Sequence, residues 1–146
     1  MDDKDKNILQ ILREDSSLTT REIAKKTLIP ITTVHKRIKK LKEKGIIKGY
    51  TIELDNEKVG KNFCAYIIVT SAIEKLRELS MNQYDLIKKI KNLEEVESAD
   101  IVVGNGDIVV KARVKDVKEY DNFLLNKLHK IKGITNTNTL TVIHEG

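Results

Sequence analysis

This chain is poor in cysteine and proline and has no long apolar run. Cys64 is the single cysteine among 146 residues, so no intrachain disulfide can form and no thiolate metal cluster can be assembled within one chain, as in a reducing cytoplasm. No stretch approaches the roughly 20 apolar residues that a membrane-spanning helix needs. With 34% of residues charged, a soluble cytoplasmic protein is expected, with no membrane partner. Met1-Asp2-Asp3-Lys4-Asp5 is acidic and has neither the basic nor the apolar region of a secretory signal. Nucleophile-elbow, phosphate-loop and dinucleotide fingerprints are missing, so no cofactor and no catalytic residue is assigned. His35, His129 and His144 are too dispersed for a metal site, and Glu94-Glu95-Val96-Glu97 reads as a solvated loop. At this length, with 40% hydrophobic residues, the chain can build one or two small cores but not one large enzyme domain.

What the sequence does carry is uneven charge. Residues 1–50 hold 13 Lys and Arg against 7 Asp and Glu, net +6, while residues 51–146 hold 14 against 15, net −1, which together give the overall +5. From Lys25 to Lys48 there are nine Lys or Arg and one acid, Glu43. A polyanion is the partner such a segment suits.

The basic third reads as three short helices. Ile8, Ile11 and Leu12 recur at helical spacing after Asp3 or Asp5, and this helix stops near Asp15-Ser16-Ser17. Thr19-Thr20-Arg21-Glu22 fits a capping box that starts a second helix with Ile23 and Ala24 inward. Pro30, the only proline, removes a donor and interrupts the chain after Leu28-Ile29. A third helix is expected from about Ile31 to Lys44, closed by Gly45. At 100° per residue, Ile31, Val34, Ile38 and Leu41 form one stripe, and Thr32, Lys36, Lys39, Lys40 and Glu43 lie opposite. Two short helices before a longer basic one predict a helix-turn-helix, with the third helix entering the major groove. Lysines that merely solvate an exposed face are the alternative.

Thr51 to Asn62, with Asp55-Asn56 and Gly60, reads as a short linker strand plus turn, giving domains 1–50 and 63–146 joined by 51–62. In the second domain, strands are expected over Phe63 to Ser71, Val96 to Val103, Ile108 to Val114 and Thr135 to Ile143. Helices are expected over Asn82 to Lys91 and Val117 to Lys130, with a short one within Ala72 to Met81. The order βαββαβ predicts an α+β, ferredoxin-like sheet with its helices on one face. Ala65, Ile67 and Val69 alternate with Cys64, Tyr66 and Ile68, so both faces of the first strand read as apolar and the uncovered one calls for a second copy. A homodimer would present two recognition helices to half-sites about 34 Å apart, or a multiple of it.

Three dispersed motifs resemble the Lrp/AsnC, or feast/famine, family of prokaryotic transcription regulators over essentially the whole chain. They are an Asp-x-x-Asp-x-x-Ile-Leu-x-x-Leu pattern over Asp2 to Leu12, the run Lys40-Leu41-Lys42-Glu43-Lys44-Gly45-Ile46-Ile47-Lys48-Gly49-Tyr50, and Gly104-Asn105-Gly106-Asp107-Ile108-Val109-Val110-Lys111-Ala112-Arg113-Val114. The resemblance implies a winged or linker-attached helix-turn-helix, a ferredoxin-like (RAM) effector and oligomerisation domain, dimers that often build octamers, and small effectors that are usually amino acids. This chain departs from the pattern at Leu28-Ile29-Pro30, where the family generally reads Gly-Leu-Ser, and at Gly106, where the family usually carries an aromatic.

The candidate DNA contacts are Thr20, Arg21, Lys25, Lys26, Thr32, Thr33, His35, Lys36, Arg37, Lys39 and Lys40. Thr32, Thr33 and Lys36 suit base edges, and Arg37, Lys39, Lys40, Lys25 and Lys26 suit phosphates. On chemistry alone Gly104 to Asp107 is a hairpin turn. The resemblance places an effector near it, where main-chain N–H groups of Gly104, Asn105 and Gly106, with Asp107, would meet a carboxylate-bearing ligand. Thr135, Asn136 and Thr137 are assigned to the same site. A regulator of transcription, and not an enzyme, is the reading. A tetrapyrrole decarboxylase of the sirohaem type and a nucleoid-architectural protein without an effector are the alternatives.

Overall fold

A computed structural model describes residues 1–145. The chain separates into two compact units, divided between Glu53 and Leu54. In the first, α1 spans Asp3–Glu14, α2 spans Thr20–Thr27 and α3 spans Ile31–Glu43. Each start has a local cause. Asp2 and Asp5 bond reciprocally to one another's backbone N–H at the head of α1, and Thr19 and Glu22 do the same for α2, satisfying donors that a helix start leaves free. Helix α3 begins at Pro30 without a side-chain cap. The missing turn glycine is replaced by Leu28 itself, which adopts a left-handed φ of 56° with its side chain in solvent. Gly45, at φ 68°, closes α3 as a left-handed residue. Ile8, Leu12, Ile23, Ala24, Ile29 and Val34 form the small core, with Ile11, Leu18, Ile38 and Ile47 packed against it.

Two expectations for this part need correction. Ile31 is half exposed and not on the core stripe, because it opens α3 at the margin of the packed face. The segment from Thr51 to Asn62 contains a turn, with the Lys61 N–H donating to the Asn56 carbonyl at 2.8 Å, but no strand. Tyr50, Ile52 and Leu54 alternate as a strand would, yet among the described residues none of the three is paired in a ladder, and their side chains are exposed.

The second unit holds β1 (Phe63–Ser71), α4 (Ile73–Glu78), α5 (Gln83–Lys91), β2 (Val96–Ile101), β3 (Ile108–Val114), α6 (Val117–Phe123) and β4 (Ile134–Thr141). The sheet order is β2-β3-β1-β4, antiparallel throughout. One face is apolar at period two. Ala65, Ile67 and Val69 of β1 and Ile108, Val110, Ala112 and Val114 of β3 are buried with Leu76, Leu86, Ile90, Phe123 and Leu128 of the helical layer. The last helix is shorter than its sequence pattern suggests. After Phe123 the backbone widens into a π-helical turn, Leu124–Leu128, closed by the His129 N–H on the Leu124 carbonyl at 2.9 Å, while Lys127 reaches Glu94 and Glu95.

The other sheet face is mixed rather than apolar. At one end Arg113, almost fully buried, is held by Glu97 and Glu145, and Lys111 lies 3.3 Å and 3.4 Å from the same two carboxylates. Cys64, opposite Arg113 in the ladder, is buried, and that burial pushes its thiol pKa up. Further along, Tyr66 and Leu140 are exposed, and Ile68 and Val109 half so.

Candidate functional site

Helix α3 turns its inward face, through Val34 and Leu41, to the core. The opposite face follows from the helical period: Thr32, Lys36, Lys39 and Glu43 fall within about 60° of one another, flanked by His35 and Lys40. All six are exposed. Lys39 lies 3.9 Å from Glu43, a loose pair in solvent, and among the described residues no acid lies within 4 Å of Lys36 or Lys40. Lys42, one step away, sits over the Tyr50 ring at 4.7 Å to its centre. On α2, Arg21, Lys25 and Lys26 are exposed, whereas Thr20 of α2 and Thr33 of α3 are half-buried. The helices thus present cations on two exposed surfaces over a shared small core.

Arg37 departs from this pattern. Its Nη1 donates to both carboxylate oxygens of Asp2 and to Asp5 Oδ1, each at 2.7 Å. The guanidinium pKa is raised by these acids. The Asp2 carboxyl is held low by the Asp5 N–H and then by Arg37, and the Asp5 carboxyl by Arg37 first. The contact is therefore fully charged above the usual carboxylate range and is lost only as pH falls through the lowered values. The phosphate role assigned to Arg37 from sequence is at odds with this geometry. In the sequence Asp5 was legible as a helix start and Asp2 only as the opening of the Asp-x-x-Asp pattern; the arginine they bind is 35 residues from Asp2 and 32 from Asp5.

The residues assigned to an effector gather at one end of the sheet. Asp107 Oδ2 accepts from the Ser71 N–H at 2.7 Å and the Ser71 hydroxyl at 3.0 Å, and the Asp107 N–H donates to the Val69 carbonyl. Across β1, the Thr135 hydroxyl donates to the Thr70 carbonyl at 3.1 Å, and Asn136 is paired with Thr70 in the ladder. The hairpin Gly104 to Asp107 and the start of β4 thus flank the same end of β1. Thr137 is turned away, to the helical face, where its hydroxyl meets His129 Nε2 at 2.7 Å. Ser71 and Thr70 were not singled out from sequence, since nothing local marks them as partners of Asp107 and Thr135.

Gly106 is fixed by close approach: a Cβ built there would lie 2.3 Å from Ile68 Cγ2 and 3.3 Å from the Val69 carbonyl oxygen. An aromatic at this position would require Ile68 to move. Gly106→Ala is accordingly expected to destabilise the second unit by about 1–3 kcal/mol, as overpacking does. Combining it with Ile68→Ala should recover part of the loss; thermal melts of the two single variants and the double variant measure the coupling.

Among the described residues no group of His, Cys, Asp and Glu could hold a metal ion, and no helix is long and apolar enough to cross a membrane.

Comparison with known proteins bears on both units. Residues 1–48 match a model described as winged helix-turn-helix DNA-binding, and residues 73–145 match the Lrp/AsnC ligand binding domain. The chain is 36% identical over 143 residues to the HTH-type transcriptional regulator FL11 of Pyrococcus furiosus, covering 98% of this chain and 89% of that protein. Among solved structures, AsnC of E. coli superposes with a TM-score of 0.83 at 26% identity, covering 99% of this chain and 93% of that one. A transcriptional regulator of Neisseria meningitidis, solved as an L-Met complex, gives 0.86 at 24% identity, covering 99% and 91%. A helix-turn-helix unit with a basic outer face, a four-stranded ferredoxin-like ligand-binding unit and these relatives along nearly the whole length show that the chain belongs to the Lrp/AsnC family of transcription regulators.

Proposed function

We propose that the protein binds duplex DNA through the outer face of α3, as a homodimer or higher oligomer, and that a small amino acid or related metabolite adjusts that binding. The observation that carries the reading is the exposed row Thr32, Lys36 and Lys39 on a helix whose other face is core. Thr and Lys at the head of the row suit base edges, and the lysines further along it, with Arg21, Lys25 and Lys26 of α2, suit phosphates.

Two features support a second copy. Tyr50, Ile52 and Leu54 make an alternating apolar row that is in no ladder among the described residues, and Tyr66, Ile68, Val109 and Leu140 leave part of the sheet open. An octamer, as the family resemblance implies, would extend the same contacts. For the effector, the hairpin Gly104 to Asp107 with Thr135 and Asn136 offers main-chain N–H groups at a sheet end that Asp107 and Ser71 hold in place. The L-Met complex of the Neisseria protein supports looking among amino acids. The ligand would act by its different affinity for two assemblies with different helix spacing.

Selection of bound fragments from random duplex DNA at two salt concentrations, with and without an amino-acid mixture, tests the reading. A defined pair of half-sites whose recovery changes with the mixture is the expected result. Equal recovery of all fragments would favour an architectural protein, and retained tetrapyrrole pigment without DNA binding would favour an enzyme.

A further inference from the structure

We propose that Arg37 is a positioning residue, which fixes the roll of α3 against α1 through the Asp2–Asp5 capping box, and not a ligand for DNA phosphate. The inference rests on α3 being the helix that faces DNA.

Three observations carry it. The oxygens that grip Arg37 belong to the same two carboxylates that cap the start of α1: the Asp2 N–H donates to Asp5 Oδ2 at 3.1 Å, and the Asp5 N–H to Asp2 Oδ1 at 2.9 Å. One set of atoms therefore closes a helix and clamps its neighbour, and neither can shift without the other. Next, two carboxylates compensate the one guanidinium, so the charge of Arg37 itself is already neutralised and adds little attraction for a phosphate. Reaching a phosphate would break three charge-assisted bonds, and Arg37 Nε is buried besides. Last, Arg37 and Lys39 are about 160° apart around the helix at 100° per residue, so a helix that lays Lys39 in a groove turns Arg37 out of it. The guanidinium lines a recess of about 510 Å³ between α1 and α3, shared with Asp2, Asp5, Thr33, Lys36, Lys40 and Lys44.

The test measures duplex affinity of the full-length protein against salt for Arg37→Gln, Asp5→Asn, Asp3→Asn, Lys39→Ala and the double variant Asp5→Asn/Arg37→Gln. Asp5→Asn keeps an acceptor for the Asp2 N–H, so the cap survives. Asp3 is solvent-exposed and pairs with Lys6, so Asp3→Asn removes the same charge away from Arg37. Arg37→Gln and Asp5→Asn should each weaken binding by about threefold to tenfold at every salt concentration, in parallel with the wild-type line, as loss of a partly exposed ion-pair cluster would. The double variant should be no weaker than Arg37→Gln, and Asp3→Asn should match or slightly exceed wild type. Circular dichroism at the assay temperature checks folding, and should Arg37→Gln unfold, Arg37→Lys replaces it with a smaller parallel shift expected.

The inference is overturned if Arg37→Gln makes the salt slope shallower by about 0.9, the signature of one lost phosphate contact, or if Asp5→Asn binds more tightly than Asp3→Asn. Lys39→Ala should lower that slope. If it changes neither slope nor affinity, the assignment of α3's outer face fails first and the inference falls with it.

Discussion

Replacing Lys36, Lys39 and Lys40 together with alanine is expected to weaken duplex binding by about 10²-fold to 10³-fold near 0.1 M salt. The magnitude follows from counterion release and one lost base contact: each phosphate neutralised contributes about 0.9 to the slope of log affinity against log salt, so losing the Lys39 and Lys40 contacts makes that slope shallower by about 1.8 per half-site, and losing Lys36 removes a base contact of about 1 kcal/mol or more. Folding should be untouched. The three side chains stand in solvent, and the one ion pair among them, Lys39 with Glu43 at 3.9 Å, is of the exposed kind that adds little stability. Gel-shift titration at four salt concentrations, beside a thermal melt, separates lost contacts from lost structure. An unchanged slope would remove these lysines from the interface.

Ile8→Ala is expected to abolish DNA binding by another route. Ile8 is fully buried in a core of six side chains within the unit Met1–Glu53. Truncating such a side chain typically costs about 2–5 kcal/mol. At about 0.05–0.15 kcal/mol per residue, a unit of this size has only about 3–8 kcal/mol in total. The first unit should therefore be largely unfolded at growth-like temperatures, while the second, whose core is built around Ile67, Leu86, Ile90 and Phe123, should melt as in the wild type. Differential scanning calorimetry reads both transitions. A simultaneous equal shift of the two would show that they do not fold as separate units.

How much of this was legible depended on how local each signal is. The capping box at Thr19 and Glu22, the stop at Gly45, the core positions Val34 and Leu41 and the period-two pattern of β3 are set by residues within a few positions of each other. All of them appear in the structure as read. Ile31 broke its stripe because periodicity fixes an angle, not whether a neighbour covers that angle at a helix end. The strand expected within Thr51 to Asn62 failed for a related reason, since alternation describes a strand's faces but supplies no partner for its hydrogen bonds. Arg37 looked like any other cation of α3 until Asp2 and Asp5 were brought to it. At the proposed effector end, the resemblance pointed to the hairpin, and Thr135, Asn136 and Thr137 were added to it as small polar neighbours; the meeting of the hairpin with Thr135 and Asn136 at β1 depends on the sheet order. Thr137 faces the helices because β4 alternates like any strand.

The central claim is that a cationic helix face meets the phosphates of a duplex. A titration of the full-length wild type against a selected duplex, from low to physiological salt, tests it most directly. The claim predicts saturable binding with a steep negative slope of log affinity against log salt, and a stoichiometry of two subunits or more per duplex. Failure to shift any double-stranded fragment at low ionic strength, or affinity that does not change with salt, would contradict it.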